Sequence, residues 1–211
     1  MMRFSIALAL ASAAAVVLFA VGALRNHTLD YWYLPYNLLL GAIPLVIAMW
    51  LRRLLRVYSW KNWRMLPLFI VWLLFLPNSF YIVTDYIHLP ETHRVDMIQD
   101  VIMLAQFSML GFVLGFTSIL LLHRAYLRQI KAKIITPLIG LVLFLSSFAI
   151  YFGRELRWNS WDVVSNPVGL FGDVWSIVSR PLVHPGMISV TLSYFVVLAS
   201  LYWCIWVVKD K

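Results

Sequence analysis

MLPLFIVWLLFLPNSFYIV, residues 65–83, decides the fold. It holds no charged residue and is about the length, roughly 20 residues, that a helix needs to cross the hydrocarbon of a bilayer. Five further stretches qualify, so the expected spans are 4–24, 33–51, 65–83, 101–122, 134–152 and 187–208. Nothing alternates with period two over barrel-strand lengths, which argues against a β-barrel. The bulk numbers agree: of 211 residues 63% are hydrophobic and 12% charged, where a soluble domain is about half apolar and a quarter charged. The expectation is an all-α, polytopic membrane protein forming one six-helix domain over 1–211, with no repeat or linker. The first span resembles a signal peptide in its Met1-Met2-Arg3 start. Its apolar run exceeds the usual 7–15 residues or so, which favours a retained helix.

Charge gives the orientation. Arg3, Arg52, Arg53, Arg56, Lys61, Arg64, Arg124, Arg128, Lys131, Lys133, Lys209 and Lys211 are 12 of the 17 basic residues and fall on one side. The positive-inside rule makes that side cytoplasmic and puts both termini there. The net charge of +8 is thereby explained by loops facing anionic lipid, and nucleic acid is not an expected partner. Trp60, Trp63, Tyr31, Trp32 and Tyr33 read as interfacial anchors, and His123 as an interfacial cytoplasmic residue. The lone Cys204 reads as a buried apolar filler.

The other side carries Arg25, Arg94, Arg154, Arg157 and Arg180 with eight of the nine acids. Its third loop, 153–186, is long, which usually marks function. Within it Val174, Ile177 and Val178 suggest a short interfacial helix capped near Asp173. The outer halves of the spans also carry polar residues: Asn37, Asn78, Tyr81, Gln106, Ser108, Ser146, Ser147, Tyr151, Ser189, Thr191, Ser193 and Tyr194. They lie at similar depth at about 1.5 Å per residue. Polar groups in lipid need partners, so the expectation is one shared cavity open to the outside. The cytoplasmic halves read as nearly pure hydrocarbon.

The third span continues Thr84-Asp85-Tyr86-Ile87-His88-Leu89-Pro90. At about 100° per residue, Asn78, Tyr81, Asp85 and His88 share an arc of about 80° if the helix runs on. Pro77 removes one helical hydrogen bond and opens a carbonyl inside the bundle. Asp85 and His88, three apart, suit a carboxylate orienting an imidazole or two ligands of one metal, whose identity the sequence does not give. The plain alternative is a helix end meeting water. Arg154 extends the polar face of Ser147 and Tyr151, and its fork, like that of Arg157, suits a carboxylate or phosphate. Asp96 and Asp100 read as the solvated first turn of span four. His27 and His93 read as loop residues, and His184 as a further candidate imidazole.

Leu76-Pro77-Asn78-Ser79-Phe80-Tyr81-Ile82-Val83-Thr84-Asp85-Tyr86-Ile87-His88-Leu89 resembles the signature of the bacterial membrane proteins classed as domain of unknown function 1361. So does Gly153-Arg154-Glu155-Leu156-Arg157-Trp158-Asn159-Ser160-Trp161-Asp162. The likeness runs from about Asn37 to span six. It implies an integral protein of the bacterial inner membrane and carries over no activity, cofactor or residue role.

The function expected first is an enzyme or binder acting at the outer leaflet on an envelope lipid or lipid-linked substrate. Asp85, His88, Arg154 and Asp162 are its candidate catalytic residues. Asn37, Asn78, Tyr81, Gln106, Tyr151, Arg157 and Asn159 are its candidate binding residues. No HExxH or GxSxG motif names a reaction. The alternative is a structural or accessory subunit, with a membrane-protein partner and the polar cluster holding helices together. A small transporter is disfavoured by the absence of mid-span charge and of repeats.

Overall fold

In the computed structural model, residues 2–91, 97–180 and 183–209 are described. They are mostly helical, with no strand among them. Six helices are long and apolar enough to cross a membrane. They are α1 (Met2–Asn26), α2 (Tyr33–Leu54), α3 (Leu66–Tyr81, which its flanking 3-10 turns extend to a span of Trp63–Ile87), α4 (Met97–Tyr126), α5 (Ala132–Glu155) and α8 (Pro185–Lys209). Two short helices, α6 (Asp162–Ser165) and α7 (Pro167–Ser179), lie between α5 and α8. The chain is an integral membrane protein of multi-pass type. Alternate helix ends meet, so the chain has a basic end, with loops 55–62 and 127–131, and a long-loop end.

Helix α4 is the centre and packs against α1, α2, α3 and the segment after α3. Helix α5 packs on α8 and on α3. The tightest point is where α2, α3 and α4 cross. A Cβ on Gly41 would stand 3.1 Å from the Ser79 Cα, and one on Gly111 would overlap the Ser79 carbonyl oxygen. Gly115, one turn on, leaves room for the Phe80 ring. Small residues let backbones approach where the hydrophobic effect adds nothing between helices. The Ser79 hydroxyl donates to the Gly41 carbonyl at 2.8 Å across the same crossing.

Helix α3 does not continue as an α-helix. It tightens at Ile82 into a 3-10 segment, Ile82–Glu91. The β-branched run Ile82-Val83-Thr84 is a poor helix continuation, and the segment packs along α4. The step of about 100° thus fails beyond Tyr81, since a 3-10 helix has about three residues per turn.

The basic half, nearly pure hydrocarbon as expected, holds two buried hydrogen bonds. The Trp72 Nε1 donates to the Ser118 hydroxyl at 2.7 Å. His123 Nδ1 lies 2.6 Å from the Tyr202 hydroxyl, and its ring stacks on Trp206 at 4.0 Å. His123 is buried, not interfacial, because α8 closes over it with this aromatic cluster. Gln129 joins the two basic loops: its Nε2 donates to the Leu55 and Tyr58 carbonyls at 2.7 and 3.2 Å, and its Oε1 accepts from the Trp60 N–H at 2.7 Å. Cys204 is exposed on α8, the reverse of the buried filler expected. Its neighbours Tyr202, Trp203 and Trp206 take the inward positions instead.

Candidate functional site

Asn37, Asn78, Tyr81, Asp85 and Asn159 line one cavity of about 450 Å³ at the long-loop end. Its frame is the start of α2, the end of α3, the end of α5 and the chain that follows α5. Leu40, Leu74, Phe148 and Ala149 form an apolar floor, about one helical turn deeper than the polar residues. Trp32, Tyr33, Tyr36, Phe152 and Trp158 supply aromatic walls, and Val163, Leu170 and Val174 cover it from α6 and α7.

The prolines explain where the frame is open. Pro77 inside α3 and Pro44 inside α2 each remove a helical N–H. Beside Pro77, the Ser160 hydroxyl donates to the Leu74 carbonyl at 2.8 Å. Asn78 Nδ2 donates to the Phe75 carbonyl at 3.0 Å and to Ser160 Oγ at 2.9 Å. The long loop is thus docked onto the interrupted turn of α3. Its path is set by Arg157, which turns the chain at φ 58°, where glycine is the usual residue. The Trp158 N–H then returns to the Phe152 carbonyl at 3.3 Å.

Asp85 is buried, although it borders the cavity. Its carboxylate accepts from Asn37 Nδ2 at 3.2 Å. Tyr81 donates to the Gly153 carbonyl at 3.4 Å, and the charges of Asp85, Arg154 and Arg157 all act on its hydroxyl. Arg154 is half-buried, and its Nη1 donates to the Thr84 carbonyl at 2.7 Å.

Several expected members are elsewhere. Asp162 is on the surface turn, where its carboxylate accepts from the Asn159 N–H at 2.7 Å and the Ser165 hydroxyl at 2.9 Å. These bonds hold its pKa below the ordinary value, and it caps a turn outside the cavity lining. Arg157 is exposed, and Arg154 is not among the lining residues. Gln106 faces α1 and donates to the Ala11 carbonyl at 3.4 Å, because α1 packs on that side of α4. Tyr151 is buried with Phe152, Ile177 and Met187. Ser146 and Ser147 bond back to the Val142 and Leu143 carbonyls of their own helix at 2.9 Å. Asp100 is buried rather than solvated and accepts from the Tyr31 hydroxyl at 3.3 Å, so Tyr31 is no surface anchor. The polar residues expected together do not share one cavity.

The side chain of His88, and Asp96, His93 and Arg94, lie outside the described residues. Among the described residues no three of His, Cys, Asp and Glu come together as a metal site. Helix α7 begins earlier than expected, with Asn166 as its cap accepting from the Gly169 N–H at 3.1 Å. Asp173 instead accepts from the Trp158 Nε1 at 2.8 Å. Within α7, Ile177 is buried and Val174 lines the cavity, while Val168, Phe171, Trp175 and Val178 form the exposed stripe.

Sequence reasoning missed Ser160, Trp158, Trp32, Tyr33 and Tyr36 as cavity residues. A signal existed for the first two, since both stand within the quoted motif 153–162. Tyr33 and Tyr36 are one turn from Asn37.

No curated protein and no solved structure matches the chain. Residues 36–201, most of its length, match the family model described as Protein of unknown function (DUF1361), and the chain belongs to that family.

Proposed function

We propose that the long-loop cavity binds, and in the enzymatic form of the reading acts on, an envelope lipid or lipid-linked molecule at the outer leaflet of a bacterial inner membrane. The basic loops and both termini then face the cytoplasm, as the positive-inside rule requires. The observation that carries this reading is the layering of the cavity. Polar Asn37, Asn78, Tyr81, Asp85 and Asn159 stand above the apolar floor of Leu40, Leu74, Phe148 and Ala149. Such layering suits a molecule with a polar head and an apolar chain.

Helix α7 supports the same placement. Val168 (83% exposed), Phe171, Trp175 and Val178 point away from the protein, and the helix has only 13 residues. It is too short to span and is apolar on its free side, the character of a helix lying in the lipid–water boundary. The cavity then opens beside the bilayer surface. Asp85 is the one carboxylate among the described lining residues and is the group assigned to proton transfer if the ligand reacts.

The test is photocrosslinking in native membranes. A benzophenone amino acid replaces Tyr36, which is exposed and lines the cavity, or Leu39, which is exposed and does not line it. A lipid adduct at position 36 that exceeds the one at 39, and that falls on Asn78→Leu, is expected. Equal labelling at the two positions removes the reading.

A second reading, an accessory membrane subunit, is favoured by the same hydrogen bonds, since Asn78, Ser160, Tyr81 and Arg154 tie loop to helices. It predicts a copurifying membrane protein, lost when those bonds are cut, and no lipid preference at position 36.

A further inference from the structure

We infer that the head group held in this cavity is hydroxyl-rich, a glycosyl or polyol group, and not a phosphate. The inference rests on the reading above, that the cavity receives a lipid or lipid-linked molecule.

Most of the side-chain donors between the helices and the long loop are already used within the protein, which leaves the Trp32 indole and the Tyr36 hydroxyl at the aromatic wall. Asn37 Nδ2 faces the Asp85 carboxylate, and Asn78 Nδ2 faces the Phe75 carbonyl. Both partners accept only, so the orientation of each amide is fixed by chemistry. Asn78 Nδ2 also serves Ser160, whose hydroxyl goes to the Leu74 carbonyl. Tyr81 donates to the Gly153 carbonyl, and the Trp158 indole Nε1 to Asp173. The Oδ1 atoms of Asn37 and Asn78 then remain as acceptors, with no hydrogen bond to another described residue. Together with the Asp85 carboxylate they make a wall that accepts.

A phosphate brings only acceptors to such a wall. No Lys or Arg is among the described lining residues, and Arg154, which stands outside the lining, gives an Nη1 N–H to the Thr84 carbonyl at 2.7 Å. Hydroxyl groups donate to the amide oxygens without adding charge. The faces of Trp32, Tyr36 and Trp158 offer flat, electron-rich surfaces for the C–H side of a sugar ring.

The experiment uses the full chain in nanodiscs with the crosslinker at position 36. Three competitors are compared: monoglucosyldiacylglycerol, phosphatidic acid with the same acyl chains, and soluble methyl glucoside. The glycolipid should suppress labelling at a concentration about tenfold lower than phosphatidic acid, a difference of about 1.4 kcal/mol. In Asn37→Lys, which places a cation on the accepting wall, the order should reverse. Simple loss of structure does not invert a preference, and if this variant fails to fold the wild-type order still decides. Phosphatidic acid winning in the wild type overturns the head-group inference and leaves the lipid site standing. No competition by either lipid overturns both. Methyl glucoside matching the glycolipid supports the head-group chemistry and overturns the lipid part of the proposed function.

Discussion

Helices α3 and α5 frame two clefts of similar size, one at each end of the bundle. The long-loop cavity, of about 450 Å³, is walled by amides, hydroxyls, a carboxylate and aromatic rings. The groove at the basic end, of about 530 Å³, is walled by Phe69, Trp72, Leu73, Ile135, Leu138, Ile139, Val142 and other apolar groups, with Lys61 and Asn62 at its mouth. The difference follows from the backbone of α3. Its first half faces its neighbours with hydrocarbon and aromatic side chains, and the Trp72 indole is turned to Ser118. Pro77 removes the helical donor to the Leu73 carbonyl, and around that interrupted turn the Ser160 hydroxyl and the Asn78 amide bond to the adjacent Leu74 and Phe75 carbonyls. A polar site in a membrane helix needs backbone that is not already satisfied.

The largest effect expected is at the crossing that holds α3 in place for both clefts. In Gly111→Val the new side chain collides with the Ser79 backbone, which cannot give way as a flexible side chain would. Overpacking of this kind costs about 1–3 kcal/mol, or roughly 2–10 °C in the melting temperature of a chain this size. Folded yield by fluorescence-detected gel filtration should fall with it. Gly140→Ala on α5, where a Cβ meets nothing within 4 Å, is the control and should leave the melt unchanged or higher. Equal behaviour of the two glycines would mean that the crossing is not what fixes α3.

Next comes a pair that separates the two ends. Asn78→Leu removes both hydrogen bonds that its amide donates, to Phe75 and Ser160. At about 0.6 kcal/mol for each such bond in a membrane, stability should fall by roughly 1 kcal/mol, and crosslinking at position 36 should be lost. Tyr202→Phe takes the hydroxyl from His123 at the other end. Its cost should be comparable, about 0.5–1.5 kcal/mol, with crosslinking at position 36 unchanged. A Tyr202→Phe that abolished labelling would join the two clefts into one functional unit.

What was legible in the sequence is depth, and what was not is direction. Position along a helix places a residue in the bilayer at about 1.5 Å per step, so the level of Asn37, Asn78, Gln106 and Tyr151 was readable. The side to which each turns depends on which helices pack around it. Gln106 faces α1 because α1 lies on that side of α4, and no spacing within α4 carries that information. Asn78, Tyr81 and Asp85 were readable together because one helix end bears all three, and the motif supplied them even though the 100° step failed after Tyr81. The bond from Ser160 to the Leu74 carbonyl joins residues far apart in the chain across a loop whose course Arg157 sets. The pairing of His123 with Tyr202 is likewise a product of tertiary packing.

Arg157 offers a smaller test of why the long-loop end differs. Its left-handed backbone, φ 58°, is one that glycine adopts without strain. Because the side chain is exposed and glycine takes this φ without strain, Arg157→Gly should keep crosslinking at position 36 and leave the melting temperature unchanged or higher. Arg157→Val, with a branched Cβ at positive φ, should undock the loop and lower labelling. If Arg157→Gly alone lost labelling, the guanidinium rather than the turn would be the contribution of this residue.

The smallest effect is a pH dependence confined to the same loop. Asp162 has its pKa lowered by the Asn159 N–H and the Ser165 hydroxyl, both of which favour its charged form. A carboxyl whose folded pKa lies below its unfolded one stabilises the fold fully above the unfolded value, about 3.9. That contribution is lost as pH falls through the folded value. Hydrogen exchange at the Asn159 amide should therefore show constant protection, relative to intrinsic exchange, from pH 7 to about 5 and a decline only below the ordinary carboxylate range. Asp162→Ala should lack the protection at every pH, while buried amides around Trp72 and Ser118 keep theirs. A loop that loosens near pH 6 would assign its docking to another group, and the turn made by Asp162 would then be a consequence of the docked loop, not a cause of it.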